Sequence, residues 1–430
     1  MNTKLRLIVM NFFQYAVWGA YLISMGRYLS SVGLGIHIGL FYAVQGFVSL
    51  FMPAVIGIIA DRWIPAQKLL AICHALAAIF MVGAGYYGMT AGYSVEFATL
   101  FTLYTCSVAF YMPTIALSNS VAYSVLAKAG LNAVKHFPPI RVFGTIGFIC
   151  SMLFVNFAKY DGIAYQEIPI QFIVSAVLGF ILAIYALTLP ACETSRDEKK
   201  QSLTDALGLK AFVLFKQKKM AIFFIFSMLL GASLQITNGY ANDFIFSFGS
   251  IDTYKDTFGV HNANALISLS QMSETLCILL IPFFLRRFGI KKVMLISMFA
   301  WVVRFGLFGL GNPGSGFWMF ILSMIVYGIA FDFFNISGSL FVDTEVDKSI
   351  RSSAQGLFMM MTNGFGATIG MLGAQVVVNH FVYSQTDPVA IVSGWQHSWF
   401  IFAGYAFVVM VVFALAFKYK HDAHKVIEKI

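Results

Sequence analysis

Pro190-Ala-Cys-Glu-Thr-Ser-Arg-Asp-Glu-Lys-Lys200 opens the one long polar stretch of this chain, 190–219. An amphipathic run, 203–214, follows within it. On both sides the chain is a succession of apolar runs. A bilayer span takes about 20 apolar residues. The hydropathy reading on that rule predicts six spans before the stretch, at roughly 7–29, 36–60, 68–91, 96–126, 138–158 and 168–189. Six more follow it, at roughly 220–246, 262–285, 292–312, 316–342, 353–382 and 395–417. With 59% hydrophobic and 11% charged residues, a soluble domain has no means of hiding this much apolar surface. The chain therefore reads as an all-α membrane protein with an N-terminal half, 1–189, a linker, 190–219, and a C-terminal half, 220–430. The first run outlasts a signal-peptide core and lacks a small-residue cleavage site, so it is expected to be retained as a span.

The charges orient the spans. Lys4, Arg6, Arg62, Lys68, Lys128, Lys135 and Arg141 fall on one side of this topology, together with the seven basic residues between Arg196 and Lys219. Arg286, Arg287, Lys291, Lys292, Lys348, Arg351, Lys418 and Lys420 fall there too. The opposite loops keep only Lys159 and Lys255, with Arg27 near the end of the first span. By the positive-inside rule both termini are expected to be cytoplasmic. The net charge of +9 is thus a topology signal and gives no reason to expect nucleic acid as a partner. Cys73, Cys106, Cys150, Cys192 and Cys277 have no metal-ligand spacing, and none lies in an outer loop; they read as small packing residues.

Two six-span halves joined by a cytoplasmic linker describe the major facilitator architecture, whose substrate site lies near the midplane between the halves. The turn Gly57-Ile-Ile-Ala-Asp61-Arg62 after the second span resembles the facilitator loop of Gly, three residues, Asp and a basic residue. Gly57 is expected to permit close helix approach. Asp61 is expected to cap or neutralise the next helix start.

Glu274 and Asp332 are the residues most at odds with their surroundings. They lie in the apolar runs 265–285 and 317–342, and Asp332 is flanked by Phe331, Phe333 and Phe334. A carboxylate at that depth costs at least about 2.5–3.5 kcal/mol, so a proton relay, a polar substrate or an internal ion pair is the expected reason. Other polar residues recur at three or four positions and so share helix faces. These are Arg141, Thr145 and Phe148; Gln235 and Asn238; Gln271 and Glu274; and Tyr327 with Phe331, Asp332 and Asn335 on an adjacent face. A flat, neutral, polyhydroxylated ligand with a heteroaromatic ring suits this set, with rings to stack on and amides for its edges. Plainer readings stand beside this one. Gln235 and Asn238 serve equally as interhelical glue, Asp332 as a structural partner of Arg304, and the aromatic residues as packing. His74 reads as a satisfied core residue. Glycines crowd the eleventh span at Gly364, Gly366, Gly370 and Gly373, and the fifth at Gly144 and Gly147, as close helix packing requires.

The stretches Phe137-Pro-Pro-Ile-Arg-Val-Phe-Gly-Thr-Ile-Gly-Phe148, Leu234-Gln-Ile-Thr-Asn238, Ser270-Gln-Met-Ser-Glu-Thr275, Val326-Tyr-Gly-Ile-Ala-Phe-Asp-Phe-Phe-Asn-Ile-Ser-Gly338 and Met361-Thr-Asn-Gly-Phe-Gly366 resemble the bacterial nucleoside:proton symporters of the major facilitator superfamily. The resemblance covers nearly the whole chain. It implies proton-driven nucleoside import across a bacterial inner membrane by alternating access. It further implies nucleoside contacts at Arg141, Thr145, Phe148, Gln235, Asn238, Gln271, Glu274, Tyr327 and Phe331, with Glu274 and Asp332 serving coupling or the conformational cycle. Nucleosides, protons and lipids are the partners it implies, for a chain acting as a monomer without cofactor, metal or catalytic residue. The outer loop 248–261 and Gly239-Tyr240 depart from the family pattern, which bears on base selectivity. Two rival functions share parts of these features: a facilitator antiporter for another solute, and an intramembrane enzyme built on Glu274 and Asp332. The enzyme needs a close carboxylate pair, whereas counting along the spans sets Asp332 deeper toward the cytoplasm than Glu274.

Overall fold

The computed structural model describes residues 2–192, 209–347 and 350–419. The central part of the predicted linker lies outside the described residues, as does the first half of the run 203–214. The chain divides into two compact units, Met1–Leu207 and Gly208–Ile430. Apart from one short β-hairpin, Lys159–Tyr160 with Ile163–Ala164, the described regular structure is helical.

The first unit contains α1 (Thr3–Gly19), α2 (Met25–Ser31), α3 (Ile38–Arg62), α4 (Ala66–Ala91), α5 (Phe97–Lys128), α6 (Ala133–Phe157) and α7 (Ile170–Ala186). The sequence predicts one continuous first span, but the chain breaks it between α1 and α2. A break exposes backbone groups, which must be satisfied inside an apolar layer. Here the Tyr42 hydroxyl donates to Leu22 O, and the Ser24 hydroxyl donates to Gln171 Oε1 at 2.9 Å. Arg27, the cation on the sparsely charged side, is buried in α2 and paired with Glu167 at 3.0 Å. One end of this unit is an aliphatic core of Leu7, Met10, Leu70, Val121, Val125 and Leu182.

The second unit contains α8 (Lys218–Ser247), a short α9 (Phe258–His261), α10 (Ala263–Phe288), α11 (Ile290–Leu310), α12 (Phe317–Glu345), α13 (Arg351–Met359), α14 (Ala367–Val378) and α15 (Pro388–Ala416). Two π-helical turns, Met360–Gly366 and Asn379–Tyr383, join α13 to α14 and follow α14, so the eleventh span is one helix of changing pitch. The glycines predicted to allow close approach divide in two. A Cβ at Gly366 or Gly370 would sit 2.4 Å from Met228 O or 2.3 Å from Ala232 Cα, so there the span packs backbone to backbone on α8. Gly57 and Gly373 have open space where a Cβ would go, so the close approach expected of Gly57 is not made. The Asp61 side chain lies outside what is described. Aromatic rings fill this unit's core: Phe244, Phe305, Phe308, Phe320, Trp395 and Trp399 in one cluster, Phe223, Phe341, Phe358 and Phe417 in another.

Candidate substrate-binding residues

In the first unit α6 carries Arg141, Thr145 and Phe148 on one face. Small residues bring that face against α1: a Cβ at Gly147 would lie 2.1 Å from Phe12 O, and one at Gly19 would lie 2.4 Å from Phe148 O. The consequence is two aromatic supports from α1. The Arg141 guanidinium lies 3.8 Å from the centre of the Tyr15 ring. Phe148 is buried and meets Trp18 edge-on, 6.3 Å between centroids. Thr145 is half-buried beside them. A guanidinium over an aromatic face is held at a cost of little freedom, and the contact is worth about 0.5–2 kcal/mol. Spacing alone had pointed to Arg141 and Phe148. Their supports, Tyr15 and Trp18, went unread, although their own i, i+3 spacing was available.

In the second unit α10 and α12 cross closely. Gly328 has no room for a Cβ, which would stand 2.6 Å from Ser273 O, and the Ser273 hydroxyl donates to Ile325 O. This register sets Gln271 and Glu274 beside Tyr327, Phe331 and Asp332. Gln271 lies near the Tyr327 hydroxyl, and the Glu274 carboxylate acts electrostatically on both Tyr327 and Asp332. The rings of Tyr327 and Phe331 are stacked, 5.7 Å apart at 10°. Trp301 meets Tyr327 edge-on at 6.0 Å. Glu274, Gln271 and Phe331 are half-buried, whereas Tyr327 and Asp332 are buried. On α8, Asn238 donates to Gln235 Oε1 at 2.9 Å, so the two amides orient each other along one helix face. Leu234 beside them lines a small cavity with Phe331, Asn335 and Thr362.

One of the plainer readings needs correction. Arg304 does not neutralise Asp332. Its guanidinium donates to Ser323 O at 2.6 Å and to Ser270 Oγ at 3.4 Å, and lies 4.6 Å from the Tyr327 ring centre. Ser323 precedes Asp332 by nine residues on α12, a rise of roughly 13 Å, beyond an arginine's reach. Asp332 Oδ2 has no hydrogen-bond partner among the described residues. The depth separation of the two carboxylates is as it reads from the sequence. Glu274 and Asp332 differ by about four residues in distance from the starts of α10 and α12, roughly 6 Å, and they sense each other electrostatically.

A second buried carboxylate, Asp243 near the end of α8, is not among the predicted site residues; it accepts the Tyr383 hydroxyl at 2.6 Å. Its signal was present, since Asn242-Asp243 interrupts an otherwise apolar run. His74 is buried as expected, with Nε2 2.8 Å from Gln14 Oε1, but its Nδ1 has no protein partner. Among the described residues no group of His, Cys, Asp and Glu is arranged to hold a metal.

Long apolar helices in two units, with charged and amide groups kept inside them, define a polytopic membrane transporter. The comparisons make this specific. The family model for the nucleoside H+ symporter matches residues 1–422, and the chain belongs to that family. Xanthosine permease of Escherichia coli is 46% identical over 429 residues, 99% of this chain and 98% of that protein. Nucleoside permease NupG of Escherichia coli is also 46% identical, over 98% of this chain and 97% of that one. The crystal structure of nucleoside transporter NupG matches with a TM-score of 0.87 at 45% identity, covering 98% of this chain and all of that chain (100%). A D-xylose-proton symporter matches at 14% identity with a TM-score of 0.69 over 98% of each chain, a likeness of fold alone. The protein is thus a proton-coupled nucleoside symporter of the major facilitator fold, and a permease rather than an enzyme.

Proposed function

We propose that this chain imports nucleosides with protons across a bacterial inner membrane, as a monomer with both termini cytoplasmic. Arg141, Thr145 and Phe148 in the first unit and Gln235, Asn238, Gln271, Glu274, Tyr327 and Phe331 in the second contact the nucleoside. The observation that carries this is the stacked Tyr327–Phe331 pair beside Gln271 and Glu274. A nucleoside presents a planar base and a hydroxylated ribose, and this arrangement offers an aromatic face and charged or amide acceptors side by side. Stacking contributes roughly 0.5–1.5 kcal/mol beyond area burial. An amide or carboxylate left unpaired on binding costs roughly 1–3 kcal/mol, which rejects ligands lacking the matching hydroxyl or ring-edge group.

Glu274 takes the coupling proton or a ribose hydroxyl, and Asp332 changes partner during the transport cycle. The missing Arg304–Asp332 pair supports this second role, because a carboxylate buried without a counter-charge is costly to keep for packing alone. Competition against labelled uridine uptake in vesicles with an imposed pH gradient tests the substrate class. Nucleosides should compete; ribose and a nucleoside monophosphate should not. Equal competition by ribose, or by the monophosphate, would refute the reading.

A further inference from the structure

We infer that the first unit holds a bound water molecule against His74, and that this water completes a hydrogen-bond relay setting the rotation of α1 and, through it, the Arg141 and Phe148 contacts. The relay runs across three helices. Gln14 on α1, His74 on α4 and Thr114 on α5 are fully buried. Gln14 Nε2 lies 2.7 Å from Thr114 Oγ1, and Thr114 Oγ1 lies 2.6 Å from Tyr111 O. The Tyr111 hydroxyl donates back to Gln14 O at 2.7 Å.

The directions of these bonds follow from the donor inventory. A carbonyl only accepts, so the single hydroxyl hydrogen of Thr114 goes to Tyr111 O. Thr114 Oγ1 must then accept from the Gln14 amide nitrogen, which turns Gln14 Oε1 toward the imidazole. His74 Nε2 therefore donates to it, at 2.8 Å. In the neutral ring Nδ1 is left as a bare acceptor, and it has no protein partner.

His74 also borders a small cavity, about the size of one water molecule, walled by Val17, Tyr21, Ser107, Tyr111 and Ser175 among others. Most hydroxyl hydrogens of the wall are already committed. The Ser107 hydroxyl donates to Ala77 O at 2.8 Å, and the Ser175 hydroxyl donates to Val17 O at 2.7 Å. Tyr111 has committed its hydrogen to Gln14, whereas the buried Tyr21 hydroxyl has no hydrogen-bond partner among the described residues. What remains is one uncommitted hydroxyl, that of Tyr21, facing a set of acceptors: His74 Nδ1 and the lone pairs of two serines. A water accepts from Tyr21 and brings two hydrogens to that set, and a buried polar group left unpaired costs about 1–3 kcal/mol. The water would join α4 to α5 and α7, and the relay would carry that constraint to Gln14 on α1. Tyr15 follows Gln14, and Trp18 lies one turn on. These are the residues that hold Arg141 and Phe148. His74 is in this sense a positioning residue for the substrate group of its own unit.

Two measurements test this on full-length protein in lipid nanodiscs. The first is independent of the nucleoside reading: ring 15N shifts of histidine, assigned by the loss of one signal set in His74→Gln, together with a structure at a resolution that shows waters. An Nε2-protonated ring with a hydrogen-bonded Nδ1 and density beside it are expected. A dry cavity, or an Nδ1-protonated ring, overturns the inference. The second rests on nucleoside binding, with wild-type uridine affinity as its control, so that no wild-type binding indicts the proposed function rather than the relay. His74→Leu removes both ring bonds and should weaken uridine about tenfold. His74→Gln keeps a donor for Gln14 and should recover most of that loss. In the Arg141→Ala background, His74→Leu should add little, because the relay acts through that group. Equal losses in the wild-type and Arg141→Ala backgrounds, or unchanged affinity in His74→Leu, overturn it. If His74→Leu does not fold, Ser175→Ala replaces it and should give a smaller loss with the same dependence on Arg141; a loss independent of Arg141 overturns it equally.

Discussion

The two units bury polarity in different currencies. Among the described residues, the fully buried polar side chains of the first unit are amides, hydroxyls and His74, together with Arg27, which Glu167 neutralises. They bond one another in closed sets such as Gln14, Thr114 and Tyr111. The second unit instead buries Asp243, Asp332 and Arg304 and keeps Glu274 half-buried beside Asp332. Neutral networks rigidify; buried carboxylates are able to change charge. On the proposed function, the first unit holds a shape while the second both contacts the nucleoside and binds and releases the proton.

The largest expected effect is on coupling. Glu274→Gln keeps the side-chain shape and removes titration, so uridine accumulation under an imposed pH gradient should fall to background while equilibrium binding survives in part. Concentrative uptake at the wild-type level would break the contrast between the units. Asp332→Asn comes next: turnover should drop about tenfold or more with uridine affinity still measurable. Because Arg304 Nη1 bonds Ser323 and Ser270 rather than Asp332, neutralising both Arg304 and Asp332 should restore nothing. Rescue of uptake by the double variant would return Asp332 to a purely structural role.

Packing should not distinguish the units. Gly147→Ala in the first would press a methyl against Phe12 O, and Gly370→Ala in the second would press one against Ala232. Each should cost about 1–3 kcal/mol, read as a lowered melting temperature in detergent. Gly57→Ala, with open space around it, should be neutral or mildly stabilising. The smallest effect is on affinity alone. Tyr15→Leu removes the ring beneath Arg141, worth about 0.5–2 kcal/mol. Uridine binding should weaken by that amount, and the number of protons moved per uridine should stay as it was. A changed proton stoichiometry in this variant would place coupling in the first unit as well.

The spans were legible because each is a run of apolar residues whose length the bilayer dictates, and that signal is local. Glu274 and Asp332 were legible for the same reason: a carboxylate in such a run stands out whatever its neighbours are. So were the faces that pair Gln235 with Asn238 and Gln271 with Glu274, since helical spacing needs no tertiary knowledge. Contacts between helices carry no such mark. The break after Gly19 depends on Tyr42 and on Ser24 bonded to Gln171, far along the chain. The separation of Arg304 from Asp332 depends on the register of α11 against α12, which hydropathy leaves undetermined. Tyr15 beneath Arg141 and the polar-lined cavity at His74 arise only when several helices meet. The sequence by itself determined which residues would be buried in a membrane and which of them would be out of place there. Only the tertiary structure decided which partners those residues met, because hydrogen bonds and ion pairs are settled within a few ångströms, by helix rotation and register.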